Sequence, residues 1–259
     1  MKLVPLNSHL EPVFSEYVYR NIPHYYFFIF DMKHDRASTE ILLALNEQNQ
    51  IEGMMLTYQE RIVQIRGNIE AAKALLAQLD LEKPEIQVAK EHKNLISERF
   101  GKVKKTFDLE LMTLKKGEES LTPGHPVERL SIGDAEDMAL MMRESDPNWW
   151  GEITTEKIAA KMHERLWLGM RVDNQLVSIA STILCEWGSN IGTVVTHENH
   201  RNKGYATSLV SALVDQIFKT SDLALVHVES DNIPAVKVYT KVGFKPYRRY
   251  YVARVEKSD

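Results

Sequence analysis

The sequence has a single cysteine, Cys185, so no internal disulfide can form, and the expected setting is a reducing, cytoplasmic one. Cys185 sits in the apolar stretch ASTILCEW with no base beside it, which reads as a buried structural thiol rather than an acyl-carrying nucleophile. Long hydrophobic runs are missing too. The most apolar one, YYFFIF at residues 25–30, is far short of the roughly 20 residues that cross a bilayer. Its aromatic content suits a buried strand or the wall of a loop. The start, MKLVPLNSHLEPVF, has no signal-peptide apolar core, so no membrane role is expected. Charge of one sign is lacking as well: the formal net charge is −4, with acids and bases mixed along the chain. No broad field gathers nucleic acid or anionic lipid, and any anion site must be local. His197, His200 and His227 lack the spacing of a helical ligand pair and no cysteine joins them, so no metal site is expected.

What is present is enough apolar sequence, 44% of 259 residues, to bury one large core or two smaller ones. Periodicity disappears in KKGEESLTPGHP, residues 115–126, where Gly, Pro, Ser and charge take over. That break divides the chain into residues 1–118, a linker at 119–126, and residues 127–259. The second part reads as helix (GDAEDMALMMRES), helix (TTEKIAAKMHERL), two strands around the hairpin signal DNQ, a strand (IGTVVT), a helix after Gly204, a strand (ALVHVE), a helix from Pro234 to Val242, and a last strand (RRYYVARV). The first part repeats much of that order: a hairpin in ILLALNEQNQIEGMMLTY, a strand in RIVQIRG, a helix in NIEAAKALLAQL, then strand, helix and strand up to about residue 114. The two differ at one joint. RIVQIRG runs almost directly into its helix, whereas the second part spends residues 197–204 at the equivalent point. The expected fold class is therefore α/β, as two similar domains, each a mixed, mostly antiparallel sheet flanked by helices.

That extra loop carries the chemical interest. After Gly204 the apolar residues Ala206, Leu209, Val210, Leu213, Val214 and Ile217 form one stripe at helical spacing. The first turn of such a helix leaves backbone N–H groups unpaired and carries about half a positive charge. A glycine loop leading into it can cradle a phosphate or pyrophosphate. Arg201 and Lys203 add charge, and Gly204 removes the side chain that would hold a ligand off the backbone. Taken alone, so short a pattern equally describes a surface loop with a helix-starting glycine.

Joined to a second motif some twenty residues downstream, the pattern is more specific. Arg201-Asn202-Lys203-Gly204-Tyr205-Ala206 precedes Asn232, Ala235, Tyr239 and Gly243-Phe244 in order. The pair resembles the pyrophosphate loop and the later signature of the GNAT N-acetyltransferase superfamily. The resemblance covers residues 127–259 well, and the first half resembles a degenerate copy by element order only.

The resemblance implies transfer of an acetyl or related acyl group from acetyl-CoA to an amine by direct attack in a ternary complex. It places the pyrophosphate on residues 201–206 and Thr207, and the pantetheine arm between splayed strands edged by Val194, Val195 and Thr196 on one side and residues 228–232 on the other. It gives a backbone N–H near Val195 or Thr196 to the carbonyl, Tyr239 to the departing sulfur as general acid, and Asn232 to the coenzyme chain or to a helix cap. Many members carry a glutamate on the bulged strand; NIGTVVT has none, which leaves Glu186, His197 and Glu229 as base candidates. Trp149 and Trp150 fall in a segment that overhangs the acceptor pocket in the family, as a wall for a small-molecule amine or as packing. One coenzyme per chain is expected from the loopless first half. The missing glutamate leaves a non-catalytic CoA-sensing or partner-binding module as the alternative.

Overall fold

The chain's local signals resolve into two compact units. In the computed structural model every residue is described except Pro123, Ser258 and Asp259, together with the side chains of Asn148 and Trp149. The first unit takes residues 1–110, 229–231 and 248–259; the second takes 111–228 and 232–247. The boundary thus falls at Glu110/Leu111, not at 119–126, and the chain's last strand ends in the first unit rather than in the second.

The first unit begins with strand β1 (Lys2–Pro5) and helices α1 (Glu11–Tyr19) and α2 (Ile22–His34). The YYFFIF run lies inside α2 and is helical, contrary to the strand or loop expected of it. Asn21 explains the start: its side chain accepts from the His24 amide, and Pro23 sits in the first turn where its missing N–H costs nothing. Next come β2 (Thr39–Leu45), β3 (Ile51–Tyr58), β4 (Ile62–Gly67), α3 (Ile69–Ala77), β5 (Glu85–Ala89), α4 (Asn94–Arg99) and β6 (Lys102–Lys115), the last carrying the chain into the second unit. Neighbours β1-β2-β3-β4 are antiparallel and β4-β5 parallel. The C-terminal strand then joins antiparallel to β5, with Tyr250 opposite Ala89 and Arg254 opposite Glu85. Ala71, Ala72, Leu75 and Leu76 of α3 pack on Val63, Ile65, Ile86 and Val88 to form this unit's core.

The second unit contains β7 (Glu128–Arg129), α5 (Ala135–Ser145), α6 (Pro147–Trp150), α7 (Thr155–Lys161), β8 (Leu166–Val172), β9 (Gln175–Thr182), β10 (Ser189–Thr196), α8 (Tyr205–Ile217), β11 (Leu223–Glu229) and α9 (Ile233–Val242), together with the start of β12 (Lys245–Glu256), most of which belongs to the first unit. Asp173 and Asn174 both take positive φ, 51° and 63°, as the two-residue turn between β8 and β9 requires. The strands run β11-β10-β9-β8-β7, all antiparallel except the β10–β11 pair. One face is covered by α8, whose Leu209, Val210, Leu213, Val214 and Ile217 are fully buried. The other is covered by α5, through Met138, Ala139, Met141 and Met142 against Trp167, Ile179 and Val195. Among the described residues no helix is long and apolar enough to cross a membrane.

Candidate functional site

Strand β10 shapes the site through one irregularity. Ile191 lies opposite Thr182 but Val194 lies opposite Ala180, so Gly192 and Thr193 together face the single residue Ser181: a β-bulge. On its other edge β10 pairs with β11 only from Ser189/Ala224 to Ile191/Val226. Beyond that point the two parallel strands are unpaired, and a fork opens. His227 marks its base, with Nδ1 2.9 Å from Asn190 Oδ1.

The ladder says which backbone groups face the fork. The His197 amide bonds the Val177 carbonyl at 2.9 Å, in the same register that sets Val195 opposite Ile179 and Thr196 opposite Ser178. In an antiparallel pair the hydrogen-bonded residues alternate. Val195 therefore turns its N–H and C=O to β9, while Val194 and Thr196 turn theirs to the open side. Of the two amides expected to polarise a carbonyl, only that of Thr196 is free to do so. The Thr196 side chain is held by Ser178, Oγ to Oγ1 2.7 Å, and Ser178 Oγ also donates to the Val195 carbonyl at 2.9 Å. On the far edge the expected 228–232 run is interrupted, since Glu229–Asp231 belong to the first unit and the Ser230 amide is taken by the Asp108 carbonyl at 2.8 Å.

The loop between β10 and α8 is built from turns. His197 accepts the Asn199 amide at 3.3 Å, and Arg201 donates from Nε to the Thr196 carbonyl at 3.2 Å. Asn202 and Gly204 take φ of 62° and 86°. Gly204 starts α8 with no side-chain cap, leaving the first-turn amides for a ligand. A Cβ at Gly204 would stand 3.5 Å from His125 Nε2, a tolerable contact, so its glycine serves the backbone conformation and the space in front of the amides. At the matching joint of the first unit the opposite holds. Asn68 starts α3 directly after β4 and spends its Oδ1 on the Ala71 amide at 2.9 Å.

The segment expected to be a linker braces this loop instead. The Thr122 and Gly124 amides donate to Ser211 Oγ and Ser208 Oγ at 3.1 and 3.2 Å, and the His125 ring nitrogen Nε2 lies 2.8 Å from the Lys203 carbonyl and donates to it. The His125 ring also meets Tyr205 edge-on, centroids 4.7 Å apart. No pattern in 119–126 announces this; only the two small hydroxyls on the outer side of α8 hint that something packs there.

A cleft of about 760 Å³ runs along the fork and the loop. Its lining includes Val194, Val195, Thr196, Arg201, Asn202, Gly204, Tyr205, Ala206, Thr207, Asn232 and Tyr239, so the structure gathers almost every residue assigned to coenzyme binding; Lys203 is exposed beside it. Asn232 caps α9, accepting the Ala235 amide at 3.2 Å. Tyr239 is 5% exposed, and its hydroxyl has no hydrogen-bond partner among the described residues. Burial pushes its pKa well above the ordinary tyrosine value, so the phenol stays protonated.

The three base candidates do not line the cleft. Glu186 is exposed after the end of β9, Glu229 falls in the first unit, and His197 stands 4.0 Å from Glu144. Trp150 lines the cleft; the side chain of Trp149 lies outside the described residues. Sequence reasoning missed Asp146, Lys237 and Lys241, all in the lining, and His200, also there, whose buried Nδ1 has no partner among the described residues. Lys237 and Lys241 could have been read from the i, i+4 spacing on α9. Among the described residues no group of His, Cys, Asp and Glu has the arrangement of a metal site.

Residues 167–253 match the family model of FR47-like proteins. No curated protein matches the chain by sequence. Among solved structures, a Drosophila protein superposes over 98% of both chains at 15% identity, TM-score 0.72. A GNAT-family acetyltransferase from Colwellia psychrerythraea does so over 99% of this chain and 100% of its own at 11% identity, TM-score 0.61. A tandem GNAT protein from the clavulanic acid biosynthesis pathway covers 100% and 99% at 12% identity, TM-score 0.58. At these identities the likeness establishes architecture: the chain has the GNAT fold, in the tandem form, with the FR47-like match lying in its C-terminal half.

Proposed function

We propose that the protein is an acyl-CoA-dependent N-acetyltransferase acting on a small primary amine, with the second unit as the catalytic one. The observation that carries this reading is the fork: β10 and β11 part at Ile191/Val226 beside a bulge, and the gap leads from the capless start of α8 to Tyr239. The residues fit the coenzyme. The amides at 204–206, with Arg201 and Lys203, suit a pyrophosphate, and the free edge of Val194 and Thr196 suits an extended pantetheine arm that pairs as a strand does. Acetyl-CoA supplies an acyl group already activated as a thioester.

The chain's own groups account for the rest. Thr196 N–H, fixed by the ladder and facing the fork, is a single preorganised donor for an oxygen that gains negative charge. The amine nitrogen attacks, the carbon–sulfur bond breaks, and the sulfur leaves as a thiolate near Tyr239. Because burial raises the Tyr239 pKa, full proton transfer to a thiolate of ordinary basicity, pKa about 8.5, is uphill. Tyr239 thus acts chiefly by donating a hydrogen bond. The amine enters uncharged; Glu186, His197 and Glu229 stand outside the cleft, so its proton passes to water or to Asp146 or His200, the titratable acid and imidazole that line it. Trp150 gives the acceptor an apolar wall.

Release of free thiol from acetyl-CoA with a panel of primary amines, compared between wild type and Tyr239→Phe, tests this. Turnover with at least one amine that drops in the variant supports it. Tight coenzyme binding with no turnover supports a non-catalytic coenzyme-sensing module, the reading favoured by the absence of a carboxylate on the bulged strand.

A further inference from the structure

The first unit has its own cleft, of about 450 Å³, and its walls carry an unbalanced charge. Arg66, on β4, is 2% exposed. Its guanidinium donates to neutral acceptors: the His24 carbonyl at 3.3 Å, the Ile65 carbonyl at 3.1 Å, Gln64 Oε1 at 2.8 Å, and Gln87 Oε1. The Tyr250 ring lies 4.2 Å from it on one face. Among the described residues no carboxylate pairs with Arg66, although a buried guanidinium ordinarily has one. Those bonds, and a hydrogen bond with Tyr250, all involve neutral groups, so the guanidinium's charge remains unbalanced.

Arg248 lines the same cleft, exposed, and likewise has no carboxylate partner among the described residues. Arg20 does have one, Glu16, and so contributes little field. His24 cannot balance anything, because it is neutral: burial, then the charges of Arg66 and Arg248, hold its pKa down to about 2. The one acid in the wall is Glu52, which accepts from Asn68 Nδ2 at 3.3 Å. Two unpaired guanidiniums against one carboxylate leave a single positive charge. The Tyr17 and Tyr25 rings, 5.6 Å apart, give the cleft an aromatic side.

We infer that this cleft of the first unit binds a small monocarboxylate, its anionic end toward Arg66 and Arg248 and its apolar body toward Tyr17 and Tyr25. A guanidinium fork matches a planar carboxylate in two parallel bonds, and Arg248 has its full set of donors to offer. Glu52 disfavours a second negative charge, so phosphate dianions and dicarboxylates are poor fits. Nor is this a second coenzyme site, since Asn68 already caps the helix beside it. The inference stands apart from the transferase reading.

Calorimetric titration of the full chain with acetate, pyruvate, benzoate and inorganic phosphate tests it, with Arg248→Gln as the variant because that side chain is exposed. The expected result is one-to-one binding of at least one of the monocarboxylates, weakened tenfold or more by Arg248→Gln, with coenzyme A binding unchanged in the same variant. Absence of binding by all three monocarboxylates at millimolar concentration, binding undiminished by Arg248→Gln, or a preference for phosphate overturns it. Coenzyme A titrated alongside keeps a failure here distinct from a failure of the transferase reading.

Discussion

Two residues on α2 and one on α9 show how burial, alone or helped by neighbouring charge, sets a protonation state. Tyr239 keeps its proton because water is excluded from it, which makes it a donor at every working pH. Its loss in Tyr239→Phe is expected to lower kcat about 10²-fold with little change in the KM for acetyl-CoA, measured by steady-state thiol release. Asp31 is pushed up to about 7, by burial and then by the charge of Asp35. The folded state therefore holds a proton that the unfolded chain gives up near pH 4, and stability contributed by Asp31 is lost as pH rises toward 7. His24 works oppositely, since the unfolded chain binds a proton below pH 6.5 that the folded one refuses, so its contribution is lost as pH falls. The two slopes oppose each other between about pH 4 and 6.5. Denaturation of Asp31→Asn and wild type across pH separates them: the stability difference in favour of the variant should grow through that window, by at most about 1.4 kcal/mol per unit, and level off above pH 7. A pH-independent difference contradicts the assignment. At Gly204, alanine meets no hard clash but sits in left-handed backbone and puts a methyl before the open amides; coenzyme A affinity should fall tenfold or more, read by calorimetry.

At the scale of elements, helix α8 links packing to the site. Its buried stripe fixes the helix on the sheet, and thereby the direction in which the first-turn amides point. Leu213→Ala is expected to cost about 2–5 kcal/mol in chemical denaturation, because the residue is fully buried and its neighbours are backbone-anchored. The corresponding change at the first unit's joint is smaller: Asn68→Ala removes one cap and should cost about 1 kcal/mol. The stripe, the glycine and the later Asn232-to-Phe244 signature were legible in the sequence because each follows from local periodicity or from a fixed motif. Helix α2 was not. An aromatic run suits strand and buried helix alike, and what decides here is the Asn21 cap and burial around much of the helix: Tyr25, Tyr26, Phe28 and Ile29 are all buried. The brace at 119–126 was also hidden, since its hydrogen bonds run from backbone amides to serines nearly ninety positions away. Which of Val195 and Thr196 faces the fork depends on ladder phase, which a bulge resets and a sequence does not display.

Across the molecule, two copies of one architecture have been given different helix entrances. The second unit opens its helix with glycine and leaves the amides bare; the first closes its helix with an asparagine and has no loop there. The division of residues between the units, with 229–231 and 248–259 counted in the first, depends on which strand finds which partner and has no local signature. One coenzyme A per chain is therefore predicted, and a calorimetric stoichiometry of two would contradict it. The most direct test of the account is a crystal structure with coenzyme A. The diphosphate is predicted on the amides from Asn202 to Ala206, with the pantetheine arm along Val194 and Thr196 inside the fork; a diphosphate bound anywhere else, or an arm that leaves the fork empty, would contradict it.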